Sequence, residues 1–152
     1  MEPRLDGRTA HLADWPCIHA GFAHEGDSEA ISAARRFTAG FLARVQGEHG
    51  VPVPVETVET AQLVVSELVT NTCKYAPGPG LLDLEVDVDT ATLLVSVWDT
   101  SSTLPLARAA EPGRIGQHGL EIILALCEGY DVQRQPVGKR ITVRISLEPR
   151  VR

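Results

Sequence analysis

Two stretches of the chain alternate apolar with polar or charged residues, and this alternation restricts the fold more than any other feature. From Leu82 to Val88 every second residue is apolar and the residues between them are acidic. From Arg140 to Leu147 isoleucine, valine and leucine alternate with arginine, threonine and serine. Such a period of two is typical of a β-strand that is buried on one face only. The chain is therefore expected to contain a sheet with one covered face.

Two longer segments repeat apolar residues at helical spacing and supply that cover. The first helix is predicted to begin after a cap at Asp27 or Ser28 and to end at Gly47 or Gly50. The second is predicted from Glu56 to Tyr75, because the Pro-Gly-Pro-Gly sequence that follows stops a helix.

The remaining elements complete the predicted order of strand, helix, helix, strand, strand, helix, strand. Strands are expected at 17–23 and 92–98, a loop at 100–116 and a third helix at 119–128. This order lacks the strict βαβ alternation of a doubly wound fold. It favours an α+β fold, a two-layer sandwich of a mainly antiparallel sheet with helices on one face. Residues 17–148 are expected to form a single domain, preceded by a flexible arm at 1–16 and followed by a short tail at 149–152.

Composition narrows the function classes. The chain has 152 residues and a net charge of −6, which argues against a nucleic-acid-binding protein, since these usually carry a basic face. No run of about 18 apolar residues is present, so no membrane span is expected. The first residues do not resemble a secretory signal. The sequence therefore predicts a cytoplasmic protein with no nucleic-acid or membrane partner.

The second helix carries a row of polar residues beside its apolar stripe. Glu67, Asn71 and Lys74 fall within a narrow sector of the helix, because successive residues are about 100° apart. An amide oxygen can ligate Mg²⁺, a carboxylate can hold a metal-bound water or accept a proton, and an ammonium can lie near phosphate oxygens. The other reading of these three residues is a solvated helix surface.

Two further segments suggest a ligand site. Asp99 ends an apolar strand, where a carboxylate can accept a hydrogen bond from an amino group or simply cap a turn. The loop 113–119 contains three glycines before a helix, an arrangement that suits an anion. His118 in this loop could contact phosphate or lie on the surface. The segment that begins with Gly138 and Lys139 is predicted to be a hairpin-type turn with two solvated cations.

The order of these motifs carries more information than any one of them. The Glu67-Leu68-Val69-Thr70-Asn71 helix is followed by Tyr75-Ala76, the Asp99 strand end, the glycine-rich loop and a final Gly-Lys strand. Over residues 18–148 this order resembles the GHKL ATPase superfamily (gyrase, Hsp90, histidine kinase and MutL type), with its Bergerat ATP-binding fold. In particular it resembles small bacterial anti-sigma factors that are also serine-protein kinases, including standalone relatives in actinomycetes.

The resemblance implies ATP and Mg²⁺ as cofactors and assigns roles to individual residues. Asn71 would ligate Mg²⁺, and Glu67 would be the catalytic base or hold a water. Asp99 would bind the adenine amine, with Thr142 nearby on the last strand. The phosphate-side loop would contain Gly116, Gly119 and Leu120.

Two positions depart from the family pattern. Ser101 stands where the family usually has glycine after the adenine strand, and Gln117 stands at a usual glycine position of the phosphate-side loop. Both lie beside the expected nucleotide, Ser101 at the base and Gln117 at the phosphates. Lys74 matches no family position and is included as a phosphate-binding candidate on physical grounds alone.

The resemblance implies a protein serine/threonine kinase that sequesters a sigma factor and phosphorylates an anti-sigma antagonist; it also suggests a homodimer. One alternative is a non-catalytic or weakly ATP-binding partner-switching module of the same fold. Another is an ATP hydrolase or a detached histidine-kinase catalytic domain. The latter is disfavoured because no dimerisation helix with a phospho-accepting histidine is evident.

Overall fold

The computed structural model describes residues 17–75, 78–100, 127–136 and 138–148. Within these ranges the chain forms two helices and five strands. In chain order they are β1 (Cys17–His24), α1 (Ser28–His49), α2 (Val55–Tyr75), β2 (Gly80–Asp87), β3 (Thr92–Asp99), β4 (Gly129–Arg134) and β5 (Lys139–Ser146).

Local capping defines the ends of α1 as the sequence predicts. The side chain of Asp27 accepts a hydrogen bond from the backbone N–H of Ala30 at 3.1 Å, which satisfies one of the free donors of the first turn. Gly50 follows the last turn with a φ of 69°, and its N–H donates to the carbonyl of Gln46. This left-handed conformation favours glycine, so the helix ends there.

The five strands form one antiparallel sheet in the order β1-β2-β3-β5-β4. Helices α1 and α2 pack against each other and on the sheet, with α1 contacting β1 and β2 and α2 contacting β3 and β5. The strand residues that face the helices are fully or almost fully buried: Leu82, Leu84, Val86, Leu93, Val95, Val97, Ile141, Val143 and Ile145. The predicted α+β sandwich with helices on one face is confirmed.

Strand β4 is the element that the sequence prediction lacks. It pairs with β5 at the edge of the sheet, with Gly129 opposite Arg144 and Arg134 opposite Lys139. Of its six residues only Tyr130 and Val132 are apolar, and both pack against the core. Two apolar positions are too few for a clear period-two signal, whereas pairing with β5 supplies the hydrogen bonds that order the strand.

The predicted third helix at 119–128 lies outside the described residues except for its last two positions, which form a bend. The arm at 1–16 and the tail beyond 148 also lie outside them. Neither of the two described helices is long and apolar enough to cross a membrane.

The end of the covered layer at the end of β2 predicts losses of stability of different size for Val86 and Val88. Val86 is fully buried on the helix-facing side, and Val88 just beyond β2 is 40% exposed. We expect Val86→Ala to lower the free energy of unfolding by about 1.5–3 kcal/mol, because buried apolar surface is lost. The matched change Val88→Ala should cost less than about 0.5 kcal/mol. Urea unfolding measures both, and equal losses would contradict the burial of Val86 beneath the helices.

Candidate functional site

At one end of the sheet, the strand register places four residues side by side on the helix-facing side. His24 lies opposite Gly80, Gly80 opposite Asp99, and Asp99 opposite Lys139. Each lies two positions along its strand from a core-facing residue, such as Val97 before Asp99, so all four share the covered face. We call these four residues the polar row.

Asp99 and Lys139 form a buried ion pair in the polar row. The Lys139 Nζ donates to Asp99 Oδ2 at 2.9 Å, and the two residues are only 6% and 2% exposed. Transfer of two charges out of water is costly, so each requires the other as a close partner. The prediction that Lys139 is a solvated turn cation is therefore wrong, whereas Arg140 is exposed as predicted.

The turn before β5 explains why Lys139 points inward. Gly138 has a φ of 85°, and a Cβ at this position would overlap the backbone carbonyl of Asp99. Only glycine allows the chain to pass this close to the end of β3. The next residue then begins β5 directly opposite Asp99, and the alternation of the strand turns its side chain toward the helices.

His24 contributes a buried hydrogen-bond donor to the polar row. Its Nδ1 accepts from the Gly26 N–H at 3.1 Å, so the neutral ring carries its proton on Nε2. Nε2 is buried and has no hydrogen-bond partner among the described residues. The ring lies over Gly80, where an added Cβ would be 2.9 Å from Nε2. Burial lowers the pKa of His24, although the carboxylates of Asp27, Glu25 and Asp99 oppose this shift.

The last turns of α2 approach the same corner of the molecule. The Cys73 thiol donates to the carbonyl of Asp27 at 3.2 Å, which brings the end of α2 to the start of α1, three residues after His24. Gly26 and Gly78 are in backbone contact, since a Cβ on Gly26 would lie 2.5 Å from the Gly78 oxygen. The end of β1, the end of α2 and the segment before β2 therefore converge.

Asn71 and Glu67 lie one turn apart on this part of α2. The Asn71 Oδ1 atom is buried and has no hydrogen-bond partner among the described residues. An orphaned buried acceptor is costly, and a carboxamide oxygen is a ligand that Mg²⁺ accepts, so Asn71 fits the implied metal. Glu67 is half-buried and Lys74 is exposed. No group of three His, Cys, Asp or Glu side chains in the described ranges is arranged to hold a metal.

The structure does not bring Thr142 together with Asp99. Thr142 lies on the opposite face of the sheet, where its hydroxyl is 3.0 Å from that of Ser96. The reason is the strand period of two: Lys139, Ile141 and Val143 face the helices, so residue 142 faces away. The neighbour of Asp99 on β5 is Lys139. Five predicted site residues lie outside the described residues: Ser101, Gly116, His118, Gly119 and Leu120.

The lowered pKa of His24 predicts a pH-dependent stability. The unfolded imidazole binds a proton near its ordinary pKa of 6.5, whereas the folded one does so only at lower pH. Between these values the unfolded state holds more protons, so the free energy of unfolding should fall as the pH drops from 7 to 5. We expect His24→Asn, whose amide oxygen can still accept from Gly26, to flatten this slope in urea titrations. His49→Asn, at an exposed position, should leave it; the same slope in both variants would contradict the assignment.

A comparison with family models identifies the family. The sequence matches the family model for the histidine kinase-like ATPase domain over residues 25–145. No match was found among curated proteins.

Two solved structures share the fold. The RsbU and RsbW domains of a Mycobacterium tuberculosis protein align with a TM-score of 0.65 and 15% identity, covering 89% of this chain and 34% of that one. The histidine kinase domain of a blue-light activated kinase from Erythrobacter litoralis aligns with a TM-score of 0.51 and 22% identity, covering 72% and 61%. This chain thus spans about a third and three fifths of their lengths. On its sequence match, with the fold in agreement, the chain belongs to the histidine kinase-like ATPase domain family of GHKL type.

Proposed function

We propose that this protein binds ATP and Mg²⁺ at the corner where α2 meets the polar row and transfers the γ-phosphoryl group to a serine or threonine of a partner protein. The family supports an ATP-binding, kinase-type domain. The observation that carries the site is the buried Asn71 Oδ1, one turn after Glu67, which has no hydrogen-bond partner among the described residues. A cation beside it would satisfy an acceptor that otherwise destabilises the fold.

Each residue of the site has a chemical task in this proposal. Asn71 holds the metal, and bound Mg²⁺ would neutralise charge on the phosphate chain. Glu67 accepts the proton of the attacking hydroxyl or orients it. Lys74, exposed at the end of α2, approaches the phosphate oxygens from the solvent side. Asp99 accepts a hydrogen bond from the base.

The proposed partners are a sigma factor, which the protein sequesters, and its antagonist, which it phosphorylates. The RsbW domain of the structural neighbour supports this choice. Helix α1 offers a basic surface for an acidic partner, because Arg35, Arg36 and Arg44 are exposed. We further propose a cytoplasmic location and a homodimer, with no nucleic-acid or membrane partner.

A non-catalytic partner-switching module remains the second candidate, and one observation favours it. Asp99, expected to receive the adenine amine, already accepts a hydrogen bond from Lys139. A base must therefore share this carboxylate with an internal ammonium. The two candidates differ in whether phosphate reaches a partner protein.

Substitution of Glu67 separates the two candidates. In a mixture of γ-labelled ATP and purified antagonist proteins with a serine acceptor, Glu67→Ala should reduce transfer by about 10²-fold or more, because the proton acceptor is lost. ATP affinity, measured by calorimetry, should change little. Glu59→Ala, at an exposed position of the same helix, is the matched control. Tight ATP binding without phosphoserine on any antagonist would refute the kinase proposal.

Substitution of Asn71 is expected to preserve or raise stability and to remove the effect of Mg²⁺ on ATP binding. Asn71→Leu removes a buried acceptor that has no partner in the described ranges. We therefore expect the variant to be at least as stable as the parent, with a gain of up to about 1–3 kcal/mol. It should lose the gain in ATP affinity that Mg²⁺ provides. Calorimetric titrations with and without Mg²⁺, paired with urea unfolding, measure both. An unchanged Mg²⁺ effect would exclude Asn71 as a ligand.

A further inference from the structure

The buried ion pair of the polar row presents a hydrogen-bond acceptor and a donor side by side. Asp99 and Lys139 occupy directly opposed positions of β3 and β5, with Nζ and Oδ2 2.9 Å apart. We propose that this pair makes the site accept a guanine base as well as adenine, with Lys139 as the residue that determines base selectivity. The inference rests on the proposed function, since it requires a purine nucleotide to bind at Asp99.

The edges of the two bases explain why a lysine changes the selectivity. Adenine offers an amine donor at its 6-position beside a ring-nitrogen acceptor. Guanine offers a carbonyl acceptor at its 6-position beside an N–H donor and a 2-amine. A carboxylate alone suits the adenine amine and repels the guanine carbonyl. Lysine is a common donor to that carbonyl in nucleic-acid recognition.

With Lys139 in place both edges can be satisfied. For guanine, Asp99 accepts from the ring N–H and the 2-amine while Lys139 donates to the carbonyl. For adenine, Asp99 accepts from the 6-amine and Lys139 donates to the ring nitrogen N7, so that acceptor and donor follow each other along the base edge in the same order as the carbonyl and ring N–H of guanine. A buried polar group without a partner is costly. Beside a carboxylate alone the guanine carbonyl would have no donor, whereas beside the Asp99–Lys139 pair both bases find partners.

The polar row also contains a donor that has no partner among the described residues. His24 is 5% exposed, and its Nε2–H has no partner within the described residues. It lies over Gly80, the residue opposite Asp99 on β2. An ion pair that served only to close the end of the sheet would require no free donor next to it. A buried His24 donor without a partner in the described part of the chain therefore favours a polar ligand at this end of the sheet.

The test is a set of binding titrations on the full chain with Mg²⁺, using ATP, GTP, ITP and purine riboside triphosphate. ITP keeps the 6-carbonyl and lacks the 2-amine, and purine riboside triphosphate lacks both groups. We expect GTP and ITP to bind within about tenfold of ATP, since Lys139 satisfies the carbonyl. Purine riboside triphosphate should bind more weakly than ATP, because Asp99 receives no amine.

Variants of residue 139 then test whether Lys139 is responsible for the binding of GTP and ITP. Lys139→Met should weaken GTP and ITP by about tenfold to a hundredfold, the range for loss of a specific base contact, and ATP by less. Lys139→Arg keeps a donor and should retain GTP binding. Arg140→Met is the matched control, since Arg140 is exposed on the other face of β5. Far-UV circular dichroism and thermal unfolding check that the variants are folded.

Three outcomes overturn the inference. ATP binding with GTP more than about a hundredfold weaker in the unsubstituted protein would show that Lys139 does not serve the carbonyl. Equal weakening of all four nucleotides by Lys139→Met would show a purely structural ion pair. The absence of binding by any nucleotide to the unsubstituted protein would refute the proposed function together with this inference. In the first two results the unsubstituted protein still binds ATP, so the proposed function stands. The affinities of the unsubstituted protein for the four nucleotides test the inference even if a variant fails to fold.

Discussion

The packing of α1 and α2 over a single face of the sheet is the interaction on which the rest of the structure depends. It removes from water a continuous layer of leucine, valine and isoleucine side chains from β2, β3 and β5. Because strand side chains alternate, this packing also decides which half of every strand is inside. The side chain of a residue at the end of a strand faces the same side as the core residue two positions away on that strand. Asp99 and Lys139 are buried for this reason. Val97 lies two residues before Asp99 on β3, Ile141 lies two residues after Lys139 on β5, and all four face the helices.

The candidate site lies at the end of the sheet where the inward-facing residues change from apolar to polar. Across β2, β3 and β5 the inward positions run from Leu82, Val97 and Ile141 to Gly80, Asp99 and Lys139. Burial makes each polar group there costly unless it has a partner. Some of these groups are paired internally, as in the Asp99–Lys139 ion pair. Others, such as His24 Nε2 and Asn71 Oδ1, are buried with no partner in the described part of the chain. Buried polar groups are normally hydrogen-bonded, so each group without a described partner requires an explanation such as a bound ion, water or ligand.

The elements with strong periodicity could be predicted from the sequence, and the others could not. The two helices, the hairpin of β2 and β3 and the last strand all occur within two residues of the predicted bounds, because apolar spacing and the Asp27 and Gly50 caps act locally. Strand β4 has too few apolar residues to show a period, and its neighbour along the sheet orders it. In the site, Glu67, Asn71 and Asp99 could be selected from motif order. The sequence does not single out Lys139, because a Gly-Lys turn is ordinarily solvated. The family resemblance suggests that Thr142 lies near adenine, but the strand period turns its side chain to the other face of the sheet.

The sequence by itself determined the α+β class, the two helices and the family, because local periodicity and motif order are properties of consecutive residues. Only the tertiary structure decided which polar side chains meet. The antiparallel register sets Asp99 opposite Lys139 across 40 residues of chain. The close passage of Gly138 against β3 fixes that register at its end. The burial of His24 Nε2 and Asn71 Oδ1, which have no partner among the described residues, depends on helices, strands and turns from separate parts of the chain. The identity of the site therefore lies in contacts between distant residues, which no local pattern specifies.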